Sequence, residues 1–308
     1  MKILNFGSLN IDYVYAVPHF VKPGETLAAI QREVFPGGKG LNQTMALARA
    51  QGDAKDIEIY IAGGVGKEDG VFLKQSLAAA GVNTNLLSEY EAPSGHTFIQ
   101  VDASGQNCIV HYSGANKMQT KETVDAVLSH FSQGDYIILQ NEMNMGGYII
   151  ARAKEKGMII FFNPSPFEKN VLDMPLSLVD YFLVNEVEAA DIAGVPVTDG
   201  DTLLAAVSKK FSTAAIVLTL GKNGVFFKNA GGTYKHGIYD TPVVDTTAAG
   251  DTFTGYFVVC IARGLPIEDA LAYASKASSL CVSRKGASPS IPLFEEVETC
   301  LLTYVPQK

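Results

Sequence analysis

The chain has 308 residues, 47% hydrophobic and 18% charged, enough apolar side chain for one large α/β domain or two smaller ones, so general disorder is excluded. A formal net charge of −8 with no long basic run argues against nucleic acid as a partner, although helix N-termini still bind phosphate whatever the net charge. Cys108, Cys260, Cys281 and Cys300 lie far apart with no CxxC pair, and no uncharged apolar run is long enough for a bilayer, so the reading is a cytoplasmic protein with reduced thiols and no membrane partner.

Residues 3–9 read as a buried first strand, too short for a signal peptide, running into the polar stretch 8–12. Two alternating segments, 13–17 and 26–34, flank a turn-rich 18–24 and are too polar for a central parallel strand. A glycine turn at 36–40 opens a helix carrying Leu41, Met45 and Leu47. Next come a strand at 57–62, a glycine loop at 63–70 and a helix at 71–80. Residues 97–101 and 107–112 alternate around 102–105, a hairpin signal, and are expected to join the earlier polar strands in a small lid sheet. The lid then draws on roughly 11–35 and 95–113 of a single domain spanning 1–308.

From Lys121 helices and strands alternate. Helices are expected to residue 131, over 147–156, from 186 and over 202–211, with strands at 136–140, 158–163, 181–185 and 215–220. A β-pair at 224–228 and 233–237 precedes a helical C-terminal part. This alternation predicts a mainly parallel sheet in three layers, with ligands at the carboxyl ends of its strands. Asn10, Asp12, Glu142, Asn163, Asn185, Thr219 and Gly221 fall at such ends.

Residues 243–255 run from apolar and β-branched through Thr246, Thr247, Ala248, Ala249 and Gly250 to Asp251, then into a long apolar helical pattern. Thr246 or Thr247 suits an N-cap, the small residues permit close approach, and free N–H groups favour an anion beside Asp251. An anion hole with a built-in base suits phosphoryl transfer to a hydroxyl, and the same residues also suit an ordinary capped helix. Gly38, Lys39 and Asn42 offer N–H groups, a cation and an amide at another helix start, or simply a glycine-shaped loop. Asn10 and Asp12, two apart, suit the vicinal hydroxyls of a sugar, or an ordinary turn. Asn185 and Glu188, three apart, suit a hydrated Mg²⁺ or phosphate, or equally a capping box. The turn Thr219, Gly221, Lys222, Asn223, Gly224 suits an adenine or ribose. No GxGxxG follows the first strand, none of the three Gly-Lys pairs completes GxxxxGK[ST], and there is no HExxH.

Taken in order, GGKGxN, NxxE, TLGxxG and DTxAAGD resemble the ribokinase-like (PfkB) carbohydrate kinase family over essentially the whole chain. The resemblance implies a three-layer α/β/α fold with a β-sheet lid and MgATP-dependent phosphorylation of a sugar or nucleoside hydroxyl. It implies Asp251 as base, with Ala248, Ala249 and Gly250 in the anion hole. Asn10, Asp12, Gly38, Lys39, Asn42 and Glu142 would hold the sugar. Asn185, Thr219, Gly221, Lys222, Asn223, Gly224, Gly250 and Ser275 would hold ATP, and Glu188 would influence Mg²⁺. A potassium ion would sit among Asp245, Thr247, Cys281, Arg284, Gly286 and Ser290, largely on carbonyls. Leu41, Ser275 and 143–145 depart from the family's usual residues, which leaves the acceptor open. The reading is an ATP-dependent sugar kinase acting on ribose, with another sugar or a nucleoside as the alternative acceptor. A silent sugar-binding protein is the rival of another class. Exposed lid strands imply a homodimer through the lid.

Overall fold

The strands that read as apolar runs build the middle of a nine-stranded sheet, because both of their faces are covered. The computed structural model describes residues 1–52 and 56–307. In the first part β1 (Lys2–Phe6) is followed by β2 (Asn10–Ala16), β3 (Gln31–Gly37), α1 (Lys39–Gln51), β4 (Glu58–Gly66), α2 (Val71–Ala78) and β5 (Asn83–Tyr90). A hairpin of β6 (Gly95–Val101) and β7 (Asn107–Tyr112) closes that part. The alternating part brings α3 (Lys121–Leu128), β8 (Tyr136–Gln140), α4 (Gly146–Glu155), β9 (Ile159–Asn163), β10 (Tyr181–Asn185), α5 (Glu186–Ala193), α6 (Gly200–Lys210) and β11 (Ala215–Thr219). The antiparallel pair β12 (Val225–Asn229) and β13 (Gly232–His236) leads to β14 (Ile238–Tyr239), α7 (Ala249–Ala262), α8 (Ile267–Val282), α9 (Phe294–Thr299) and β15 (Tyr304–Val305), which pairs with β14.

The large sheet has the order β13-β12-β11-β10-β9-β8-β1-β4-β5 and is parallel from β11 to β5. One face packs on α1, α2, α7 and α8, the other on α3 to α6, giving three layers with two separate apolar cores. Strand order reverses at β1, between β4 and β8, which is where a parallel sheet opens a crevice at its carboxyl edge. There β8, β9, β10 and β11 each end in a polar residue: Gln140, Asn163, Asn185 and Thr219. The second sheet, β3-β2-β6-β7, takes its strands from residues 10–37 and 95–112 and stands off the large one.

Several elements differ from the pattern reading. β5 has no counterpart in it, because NTNLLSEY is polar and only Leu87 is buried, as an edge strand allows. β4 runs on to Gly66, so the first half of the expected glycine loop is strand. The early alternating segment at 26–34 is strand only from Gln31, and continues through Pro36, an outer position that spares the lost N–H. At α7 neither threonine is the N-cap. Ala248 holds that place at φ 60°, with no side-chain cap, and Val243 and Val244 lie exposed in a loop.

α7 is buried along most of its length and crosses α1 where Gly255 meets Ala46. A Cβ on Gly255 would lie 2.4 Å from the Ala46 Cβ and 2.7 Å from the Ala46 carbonyl carbon and the Leu47 nitrogen. Backbone cannot yield as a side chain can, so glycine is what lets the two helices touch and their N-terminal ends meet. Gly255→Val is expected to destabilise the protein by about 3 kcal/mol through overpacking. Denaturant unfolding with an unchanged midpoint would contradict that crossing.

Candidate active site

The N-terminal ends of α1 and α7 face the carboxyl edge of the large sheet, and Asp251 sits between them, only 7% exposed. Its Oδ1 accepts from Gln43 Nε2 at 3.0 Å and its Oδ2 from Asn42 Nδ2 at 3.3 Å. Burial pushes this carboxyl up, the Lys39 charge and the two amides pull it down, Glu142 pushes it up, and the net direction is up. Lys39 is pulled down by burial but held above its ordinary value by Asp251, Glu142 and Glu188, so it stays an ammonium. In the first turn of α7 the Ala249 N–H reaches Thr246 O at 3.3 Å. Among the described residues the Gly250 and Asp251 N–H groups find no such partner, and they open on a cavity of about 200 Å³. Ala248, in the left-handed region that non-glycine residues rarely adopt, is the strained link that turns the chain into this position.

Around the cavity stand Lys39, Asn163, Asn185, Glu188, Thr219 and Asp251. Asn185 and Glu188 do form the capping box, with Asn185 Oδ1 accepting from the Glu188 N–H at 2.9 Å and Glu188 Oε2 from the Asn185 N–H at 3.1 Å. Both also line the cavity, so the capping box does not remove them from the site. The turn Gly221–Asn223 lies outside the cavity and is exposed, Gly224 behind it is buried, and Ser275 is buried on α8. Leu41 is fully buried in the core, which accounts for its departure as packing.

Beyond Asp251 the cluster continues to the second sheet. Glu142 Oε2 accepts from the Lys39 N–H at 3.0 Å and from the Ser8 hydroxyl. Asn10 and Asp12 share one face of β2, and Gly37 packs so closely that a Cβ there would lie 1.9 Å from Asp12 Oδ2. Asn116 Nδ2 donates to Asn10 Oδ1 at 2.8 Å, which leaves the Asn10 amide NH₂ as the group on offer. Thr97 Oγ1 donates to Asp12 Oδ1 at 2.6 Å. A donor and an acceptor two residues apart match adjacent hydroxyls.

On the far side of α7, Asp245 Oδ1 accepts from the Thr247 N–H and hydroxyl and its Oδ2 from the Gly286 N–H at 3.0 Å. Burial pushes this carboxyl up, but those bonds and the Lys285 charge outweigh it and keep it ionised. Cys281 Sγ lies 3.0 Å from Ser290 Oγ and reaches Thr247 O. Five of the six expected cation residues are thus together. The Arg284 side chain turns away to Glu296 at 2.6 Å, leaving only its backbone near the group. Oxygen donors around one ionised carboxylate suit a monovalent cation.

A family profile described as pfkB family carbohydrate kinase matches residues 1–293. The chain belongs to this family of carbohydrate kinases. It is 35% identical over 303 residues to a ribokinase of Staphylococcus aureus, covering 96% of this chain and 98% of that one. Solved structures agree. A ribokinase of Thermotoga maritima aligns at TM-score 0.84 with 33% identity over 96% and 97% of the two chains. The Arabidopsis thaliana ribokinase solved with ribose and ATP aligns at 0.84 with 27% identity over the same shares.

Sequence reasoning missed Ser8, Gln43, Thr97 and Asn116 in this carbohydrate kinase, and took Asn163 only as a polar strand end. Gln43 was the most legible of them, an amide directly after Asn42 in a helix that also buries Leu41, Met45 and Leu47. Thr97 and Asn116 carry no local signal, because only the β2–β6 pairing and the turn after β7 bring them to β2. Burial lifts the Asp12 carboxyl to about 6, with Thr97 holding it down and Glu142 adding to the rise. Asp12 is therefore a carboxylate above that pH and loses its charge as pH falls through it. Thr97→Val removes the donor that favours the charged form, so the midpoint moves above 6 in a carboxyl ¹³C NMR titration. A midpoint that stays put or falls would show that Thr97 does not stabilise the charge.

Proposed function

We propose that this kinase is a ribokinase, converting D-ribose and ATP to D-ribose 5-phosphate and ADP with Asp251 as general base. The observation that carries this is Asp251 itself, a buried carboxylate between a diol-matching pair and the free N–H groups of a helix start. The similarity to ribokinases over nearly the full length supports ribose as the acceptor.

Asn10 donates to, and Asp12 accepts from, adjacent ribose hydroxyls, and Gly38, Lys39, Asn42 and Glu142 bound the same chamber. On this reading the 5-hydroxyl comes to Asp251. As its oxygen attacks the γ-phosphorus, its proton passes to Asp251, the bond to the β-phosphate oxygen breaks, and ADP leaves. Burial raises the proton affinity of Asp251, as a base needs, while Lys39 and the two amides favour its charged form. The N–H groups of Ala248, Gly250 and Asp251 lie where charge builds on the transferring oxygens, with Ala249 held against Thr246. ATP takes the cleft along Asn185 and Thr219, its base and ribose toward the turn of Gly221, Lys222, Asn223 and Gly224 and the Ser275 side of α8. Glu188, a buried oxygen donor on that cleft, would hold Mg²⁺ through water. Asp245, Thr247, Cys281, Gly286, Ser290 and the Arg284 backbone would hold K⁺. Bound there, the two cations supply positive charge that offsets the phosphates.

Asp251→Asn keeps the size but removes the base, so kcat is expected to fall by about 10²–10⁴-fold while nucleotide binding persists. The wild-type protein, assayed by ADP release on ribose, fructose, 2-deoxyribose and adenosine, should prefer ribose, and should slow when tetramethylammonium replaces potassium. An active Asp251→Asn variant would overturn the base, preference for another acceptor the substrate, and indifference to the swap the cation site.

The second sheet would act as a lid over the sugar. Its edge strand β7 is exposed throughout and carries Ile109, Val110 and Tyr112 outward, beside exposed Phe98 on β6. A second copy would cover this apolar edge, so light scattering at micromolar concentration should give a dimer. A monomer there would exclude it.

A further inference from the structure

We infer that Asn5, Gln140 and Gln43 form a directed amide relay whose last donor holds one oxygen of Asp251, making Gln43 a positioning residue for phosphoryl transfer. The inference rests on Asp251 being the base. It starts from an oddity of burial. Asn5 and Gln43 are fully buried and Gln140 is nearly so, in elements whose other inward residues are mostly apolar.

Their direction follows from a single backbone carbonyl. Asn5 Nδ2 donates to Gly40 O at 2.9 Å, and a carbonyl accepts only. Asn5 must therefore turn its oxygen to Gln140, whose Nε2 donates to it at 2.9 Å. The same Nε2 donates to Gln43 Oε1 at 2.7 Å. Gln43 is then left with its NH₂ outward, one hydrogen to Asp251 Oδ1 at 3.0 Å and one toward Asn163 Oδ1 at 3.3 Å. Asn163 is itself oriented, since its Nδ2 donates to Leu183 O at 2.8 Å. A flip at any member would set two oxygens against each other.

Among the described residues Gln140 Oε1 is buried and finds no partner, and it lies against Gly7, where a Cβ would come within 2.4 Å of it. The chain of amides ends on Asp251 with a donor. The consequence is that Oδ1 is engaged by the shorter bond, and Oδ2, with its longer bond from Asn42, takes the proton. Gly40 also belongs to the glycine turn beside Asn10, so the sugar loop and the base share one frame.

The groups that face Asp251 are Lys39 from α1, Glu142 beyond β8 and the Cys281 thiol of α8, and Glu188 of α5 acts on Lys39. All of them persist when Gln43 is replaced. The test compares Gln43→Met, Gln140→Met and the double variant with wild type in steady-state kinetics and in the pH profile of kcat. Gln43→Met should lower kcat by roughly 10–100-fold with ribose KM changed less than about threefold, as misorientation of a reacting group does. Its acid limb should move to higher pH, because a donor to the carboxylate is gone. Gln140→Met, one step removed, should do the same more weakly and gives a second arm where the first variant folds poorly. The double variant should match Gln43→Met alone. An unmoved acid limb, or losses that multiply in the double variant, would overturn the relay. With Asp251→Asn inactive, those results defeat the relay alone, whereas an active Asp251→Asn defeats the base assignment on which it stands.

Discussion

A carboxylate buried at a helix start is tolerable only while something answers its charge, and the architecture is arranged around that need. Asp251 is answered by two amides from one helix, by the Lys39 ammonium and by the N-terminal end of its own helix. None of these partners is near in sequence except the last. They arrive because α1 and α7 touch at Ala46 and Gly255, and that touch is possible because position 255 has no side chain. Steric permission in the middle of two helices thus becomes electrostatic support at their ends.

The same economy explains the carboxylates. The Glu142 charge pushes both Asp12 and Asp251 up, and Lys39 pulls Asp251 back toward its charged form. Glu142 is tied down by the Lys39 N–H and the Ser8 hydroxyl, so it acts as a fixed wall rather than a free acid. Each acid is therefore set apart by what it is bonded to, not by its type.

Much of this was legible before the structure. The apolar bodies and polar last residues of β8 to β11 mark both the parallel sheet and its functional edge, because burial on two faces demands apolar runs and solvent-facing ends do not. What resisted reading falls into three kinds. β5 escaped because an edge strand buries too little to carry a hydrophobic pattern. Ala248 escaped as N-cap because side-chain propensity points to a threonine, whereas here a strained backbone aims the helix and leaves its first N–H groups free. Thr97 and Asn116 escaped for a third reason, since their meaning lies wholly in partners about 85 and 106 positions away.

On the proposed reading, acceptor recognition and chemistry lie on different bodies of the fold. The second sheet contributes Asn10, Asp12 and Thr97, whereas Asp251, Gln43 and the nucleotide cleft belong to the three-layer core. α1 is the joint between them. Its N-cap Gly38 packs on Asn10, the Gly40 carbonyl begins the amide chain, and Asn42 and Gln43 hold Asp251. A change in β2 or β6 would alter which hydroxyls are matched while leaving the base and its donors as they are. One family frame would then serve several acceptors, provided that each puts its reacting oxygen at the start of α7.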